Sequence, residues 1–270
     1  MYTTNLDEHM ARVRDGKLRQ RVHKVGIELE GGWNTLPRGT QLQRDTSVRF
    51  GTMEAPPNAA RRPGTRNENG DAWVRFNPDP NEAIPPHIGE LPSHILGVAQ
   101  FPDWVRTYYP SQVNATCGLH IHMSFAKVLY YQQLMVKEYQ DSIVKYMIRW
   151  ANDERLLADH CLWPRLRGQV EYCQHKFWPD HQARVTNKDY DHFREGCRYT
   201  VMNYCYGRLR TLECRLLPMF QDKEQSIRAL TEILNITNAF LVANKGREER
   251  HYAKVPLEGD ILREEIIECV

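Results

Sequence analysis

Leu119-His120-Ile121-His122-Met123-Ser124 alternates apolar side chains with two imidazoles and a hydroxyl. Strict alternation is the pattern of a β-strand with one buried face, because successive side chains point to opposite sides. The same pattern occurs twice more. Val25-Gly26-Ile27-Glu28-Leu29-Glu30 alternates apolar residues with a glycine and two carboxylates. Arg210-Thr211-Leu212-Glu213-Cys214-Arg215-Leu216 alternates them with Thr211, Glu213 and Arg215. If the three strands share a sheet, one face is apolar and the other carries Glu28, Glu30, Glu213, His120, His122 and Arg215. Carboxylates and neutral imidazoles ligate divalent cations, and a guanidinium fork suits phosphate. The segments therefore predict a metal–nucleotide face.

The chain has 270 residues, enough for one large core or two small ones. Its 41% apolar and 26% charged residues are ordinary for a globular protein. Lys plus Arg is 36 and Asp plus Glu is 34, a net charge of +2, so bulk charge gives no argument for nucleic acid or an anionic membrane. No apolar stretch is long enough to span a bilayer. The stretch from Asp7 to Lys24 has no long apolar run and reads as neither a secretory signal nor a transit peptide. The seven cysteines are odd in number and form no C-x-x-C pair, which predicts reduced thiols and a cytoplasmic location. His160-Cys161 with Cys173 and His175 is the nearest approach to a zinc site, but the spacing fits no compact knuckle.

Moving outward, Gly31-Gly32 after the first strand is a turn signal. Residues 37–87 are rich in Pro, Gly, Asn and Arg, with Pro56-Pro57, Pro63-Gly64, Asn69-Gly70 and Pro85-Pro86. They predict a loop-rich insertion within the domain, with Trp73-Val74-Arg75-Phe76 as a short strand. From Phe125 to about Leu157 the pattern is helical, with Val128, Tyr131, Met135, Tyr139, Ile143, Met147 and Trp150 on a core-facing stripe. Residues 162–193 are irregular, and Trp163 to Phe193 reads as a long loop or lid. Asp222 and Gln225 fit a capping box, followed by Ile227, Leu230, Leu234 and Leu241 on an apolar face and a stop near Asn244 to Gly246. There is no regular βαβ alternation. The expectation is α+β, a single catalytic domain over 1–270, with a largely antiparallel sheet, helices on one face and the site on the other.

Glu28 and Glu30 lie two apart on one strand and repel each other unless a cation lies beside them. Gly26 on the same face leaves room for a bulky ligand. His120 and His122 divide naturally into one metal ligand and one donor to phosphate or carboxylate. Glu213 and Arg215 also read as a plain same-face ion pair. Arg198, Arg208 and Arg210 make the neighbourhood basic, as suits a multiply charged anion.

In their order along the chain, these segments resemble the motifs of the amidoligase family. That family belongs to the carboxylate–amine ligase superfamily with glutamine synthetase and glutamate–cysteine ligase. The resemblance runs from about Val25 to Phe220. It rests on Gly26-Ile27-Glu28-Leu29-Glu30, Gly89-Glu90-Leu91-Pro92-Ser93, Cys117-Gly118-Leu119-His120-Ile121-His122-Met123-Ser124, Arg198-Tyr199 with Asn203, and Arg210-Thr211-Leu212-Glu213-Cys214-Arg215. Asp45 with Ser47 resembles a family Asp-x-Ser element.

The resemblance implies a glutamine synthetase-like curved sheet whose concave face binds ATP with Mg²⁺ (or Mn²⁺). It implies Glu28, Glu30, Glu90, His120 and Glu213 as metal ligands. It places His122 and Ser124 near the nucleotide, with Arg198 and Arg210 among the groups that hold phosphate or the acidic substrate. Arg215 falls near the γ-phosphate and completes a catalytic set with Glu28 and Glu213. The implied reaction joins a carboxylate (of an amino acid, peptide or protein side chain) to an amine through an acyl phosphate, with no membrane or nucleic-acid partner. An oxygen-rich site with imidazole also favours Mg²⁺ or Mn²⁺ over zinc. Two other readings stand beside it: a metal-dependent phosphodiesterase or nuclease, and a non-catalytic nucleotide-binding module.

Overall fold

The three alternating segments are three neighbouring strands. The computed structural model describes residues 6–45, 47–51, 76, 79–156, 160–177 and 199–244. Its strands are β1 (Val22–Trp33), β2 (His87–Pro92), β3 (Leu96–Gly97), β4 (Gly118–Phe125), β5 (Met202–Cys205) and β6 (Thr211–Pro218). They form one six-stranded sheet in the order β2-β1-β4-β6-β5, with β3 also paired to β1. Every pairing is antiparallel. The helices are α1 (Leu6–Arg14), α2 (Phe101–Tyr108), α3 (Val128–Leu134), α4 (Lys137–Asp153), α5 (Leu162–Leu166), α6 (Tyr206–Leu209) and α7 (Lys223–Ala243). The class is α+β, with an open antiparallel sheet.

Ile27, Leu29, Leu119, Ile121, Met123, Leu212 and Cys214 are buried on the apolar face. Helices α4 and α7 are tied to that face by a polar seam. Tyr139 Oη lies 2.6 Å from Thr237 Oγ1, and Thr237 Oγ1 is 3.5 Å from Met123 Sδ of β4. Burying the alternate residues of three strands against two helices is what the period-two pattern encodes.

Two expectations need correction. Gly31 and Gly32 do not turn; they lie inside the 12-residue β1. A Cβ on Gly32 would stand 2.1 Å from Pro85 Cγ, and one on Gly31 2.6 Å from Pro110 Cβ. These glycines admit neighbouring prolines rather than a reversal. The single helix expected after Phe125 is two helices. Met135 (ψ 50°) and extended Val136 interrupt it, and both are buried. The apolar stripe continues across the break, so periodicity alone could not reveal it.

The described part of Trp163–Phe193 is an irregular stretch with one short helix, α5, and it is packed. Leu166, Val170 and Cys173 are buried there, and α5 packs beside β6; residues 178–193 lie outside the described residues. Helix α7 begins where the capping signal placed it, with the Asp222 side chain accepting from the Glu224 N–H at 2.9 Å. It ends at Ala243 with Asn244 as its cap, at the near edge of the expected stop; Gly246 lies outside the described residues. The proposed strand at Trp73–Phe76 also falls outside them, except for Phe76.

Among the described residues Cys117, Cys161, Cys173, Cys205 and Cys214 are free thiols. No described helix is long and apolar enough to cross a membrane.

Candidate functional site

Strand register assembles the polar face. Glu28 stands opposite His120, Gly26 opposite His122 and Glu30 opposite Glu90. Glu213 stands opposite His122 on one side and Asn203 on the other. Glu28 is the hub. Its Oε2 is 3.1 Å from His120 Nδ1 and its Oε1 is 2.9 Å from His122 Nε2. His120 also lies 3.6 Å from Glu30 through Nε2 and 3.6 Å from Glu213 through Nδ1. Glu30 accepts from the Gly118 backbone N–H. Glu213 accepts from Arg215 Nη1 at 2.5 Å and from Asn203 Nδ2 at 3.0 Å.

A β-bulge shapes the far side. Leu119 pairs with Leu217 and Ile121 with Cys214, so two steps on β4 match three on β6. The extra residue falls at Arg215–Leu216. A bulge bends its strand and re-aims side chains, and here it lies beside the acidic cluster.

Three overlapping donor groups could hold a metal ion: Glu28, Glu90 and His120; Glu28, His122 and Glu213; and Glu30, Asp45 and Glu90. Within each, the donor atoms lie within 4.8 Å of one another. The charges differ across the face. Burial pushes the Glu90 carboxyl up to about 9, with Glu28, Glu30 and Asp45 adding repulsion. Burial also raises Glu30, and His120 only partly offsets it. Glu28 and Glu213 go the other way. Burial opposes their charge, but His122 and His120 around Glu28, and Arg215 and His122 around Glu213, outweigh it and hold both carboxyls low. His122 is raised, because Glu28 outweighs its burial. The end near Glu30, Glu90 and Asp45 thus holds more carboxylates than the protein's own cations neutralise. Oxygen-rich and short of positive charge, it suits a hard divalent cation.

Glu28, Glu30, Glu90, His120, His122, Glu213 and Arg215 come together as the sequence predicts. Ser124 shares the face but turns to its neighbour strand, donating to the Lys24 carbonyl at 3.2 Å. Arg210 is not in the cluster. It caps α6 with φ 55°, and its guanidinium lies 4.7 Å over the Tyr206 ring. Arg198 lies outside the described residues. Asp45 joins Glu30 and Glu90, braced by the Ser47 N–H and hydroxyl, both at 2.6 Å.

Two residues with no role assigned from sequence also take part. Asn203 holds Glu213, and Thr211 Oγ1 lies 3.0 Å from His122 Nδ1, fixing the ring. Thr211 had a signal: it precedes Glu213 by two on the alternating strand. The cysteine–histidine set makes no metal group among the described residues. The His160 ring stacks on Phe220, and His175 Nε2 lies 3.0 Å from the Arg165 carbonyl.

Comparison with family models, curated proteins and solved structures gave no match.

Proposed function

We propose that the chain is an ATP-dependent carboxylate–amine ligase, using Mg²⁺ or Mn²⁺ on a glutamine synthetase-like sheet. The observation that carries this reading is the set of three donor groups linked through Glu28 and Glu90, bordered by the partly buried Arg215–Glu213 pair. Joining a carboxylate to an amine in water is uphill. Transfer of the γ-phosphoryl group to the carboxylate gives an acyl phosphate and ADP. The amine then displaces inorganic phosphate. Two anions must approach each other in the first step, so cations must cancel their charge. Bound divalent ions supply that cancellation and polarise the phosphoryl oxygens.

Each part of the face has a task in this scheme. Glu28, Glu30, Glu90, Asp45, His120 and Glu213 would hold metal. His122, fixed by Thr211, sets the far edge. Arg215 would meet the transferring phosphoryl group. Gly26 keeps the surface beside His122 open: a Cβ there would meet only His122 Cβ, at 3.5 Å. The substrates are a carboxylate and an amine, and free thiols fit a reducing, cytoplasmic setting.

A screen for ADP release across acids paired with amines tests the reading. ADP and phosphate are expected to form fastest when both substrates are present. ATP left intact under every pairing, with phosphodiesters cut instead, would give the site to a phosphodiesterase. Nucleotide binding with no product would make it a binding module.

Metal binding has a pH signature. Between its ordinary 4.5 and about 9, Glu90 keeps a proton in the folded, metal-free protein that the unfolded chain has lost. Folded protein then binds more protons, so this group makes stability fall as pH rises through that window. A divalent cation displaces the proton. The rise in Tm on adding Mg²⁺ or Mn²⁺ is therefore expected to be larger at pH 8 than at pH 6. An equal rise at both would remove Glu90 from the ligand set.

A further inference from the structure

Arg165 is a buried cation with an unusual partner. It lies on the five-residue helix α5 and is 3% exposed. Its Nη1 donates to the backbone carbonyl of Arg215 at 3.1 Å, while its Nε is buried without a hydrogen-bond partner. Among the described residues no carboxylate lies within ion-pair distance of it. Burying a guanidinium without a counter-ion is costly, so a purely structural role is a poor explanation.

The accepting carbonyl belongs to the bulge. Pairing between β4 and β6 skips from Cys214 to Leu217, leaving Arg215 and Leu216 without matched partners on β4. The Arg215 N–H still donates to the Val201 carbonyl at 2.9 Å, but its own carbonyl takes a donor from outside the strands. Arg165 supplies it, and Arg165 is itself fixed. Its own carbonyl lies 3.0 Å from His175 Nε2, and the His175 ring packs so tightly on Gly168 that a Cβ there would meet its Cγ at 2.9 Å. Gly168, His175, Arg165 and Arg215 thus form one rigid path from α5 to the acidic face.

We infer that Arg165 is a positioning residue: by holding the bulged carbonyl it aims the Arg215 guanidinium at Glu213 and the metal face. Its charge also reaches Glu30, adding to the larger influence of Arg215 there. The effect on turnover rests on the ligase reading; the effect on Arg215 does not.

Arg165→Met removes donor and charge, and Arg165→Gln keeps a donor without the charge. The probe is the Nε–H cross-peak of Arg215 in ¹H–¹⁵N correlation spectra, assigned by its loss in Arg215→Lys. The cross-peak is expected to vanish into solvent exchange in Arg165→Met and to persist in Arg165→Gln. Turnover in the ADP assay should fall about tenfold in Arg165→Met, with KM for ATP little changed. An unchanged cross-peak in Arg165→Met, with only a lower Tm, would make Arg165 a structural brace and overturn the inference. If Arg165→Met does not fold, Arg165→Gln decides alone, and loss of its cross-peak overturns the hydrogen-bond role. A cross-peak that behaves as expected, in a wild-type protein that turns over no acid–amine pair, defeats the ligase reading and leaves the positioning role standing.

Discussion

Glu28→Ala is expected to abolish metal-dependent ATP binding, and Glu213→Ala to weaken it by about a hundredfold or more. Glu28 belongs to two of the three donor groups and contacts both imidazoles, so its loss dismantles two sites at once. Glu213 belongs to one, and its removal also strands Arg215. Loss of a residue that merely supports a metal ligand costs roughly 10–100-fold in affinity, and loss of a shared ligand should exceed that. ATP affinity measured by calorimetry with and without Mn²⁺, in wild type and both variants, checks this. Circular dichroism guards against unfolding, because removing either carboxylate leaves buried charges unpaired. Glu28→Gln keeps the shape and provides the milder control. Binding that needs no metal and ignores both substitutions would sink the assignment.

The half of the site carried by β1, β4 and β6 was legible because those strands bury one face and expose the other. Their periodicity reports the sheet and the polar face together. β5 gave no such signal: Met202, Asn203, Tyr204 and Cys205 are all buried, so nothing alternates. Asn203 therefore reaches Glu213 from a strand that the pattern does not reveal. Asp45 arrives from a loop that folds back so that Gln43 bridges to Glu90, a long-range event with no local signature. Arg165 is less legible still, since a buried arginine on one short turn of helix looks like any surface arginine. Arg210 shows the reverse error. Alternation counts it into the strand, but its left-handed backbone ends α6 there and carries the side chain to Tyr206. Thr211, one residue later, is the true start of the polar face. The helix break at Met135 was hidden because both sides of it contribute to one core.

Arg215→Lys is expected to leave folding and nucleotide binding intact while turnover falls about a hundredfold or more, as for loss of a preorganised transition-state donor. The side chain is partly buried, and its Nη1 sits 2.5 Å from Glu213 Oε1. Burial disfavours its charge, but Glu213, Glu30 and Glu28 outweigh that and keep it firmly protonated. Lysine preserves this positive charge, so the acidic face keeps its balance and the fold is spared the unpaired Glu213 that Arg215→Ala would create. What lysine lacks is the planar fork, which holds Glu213 with one nitrogen and offers others to two phosphoryl oxygens at once. Charge builds on those oxygens during transfer, so the loss falls on the transition state rather than on bound ATP. It should therefore appear in kcat with little change in KM. A purely structural ion pair predicts otherwise: an ammonium within reach of Glu213 would serve, and activity would survive. Near-normal turnover in a well-folded Arg215→Lys protein would thus assign Arg215 to holding Glu213 in place and take it out of the chemistry.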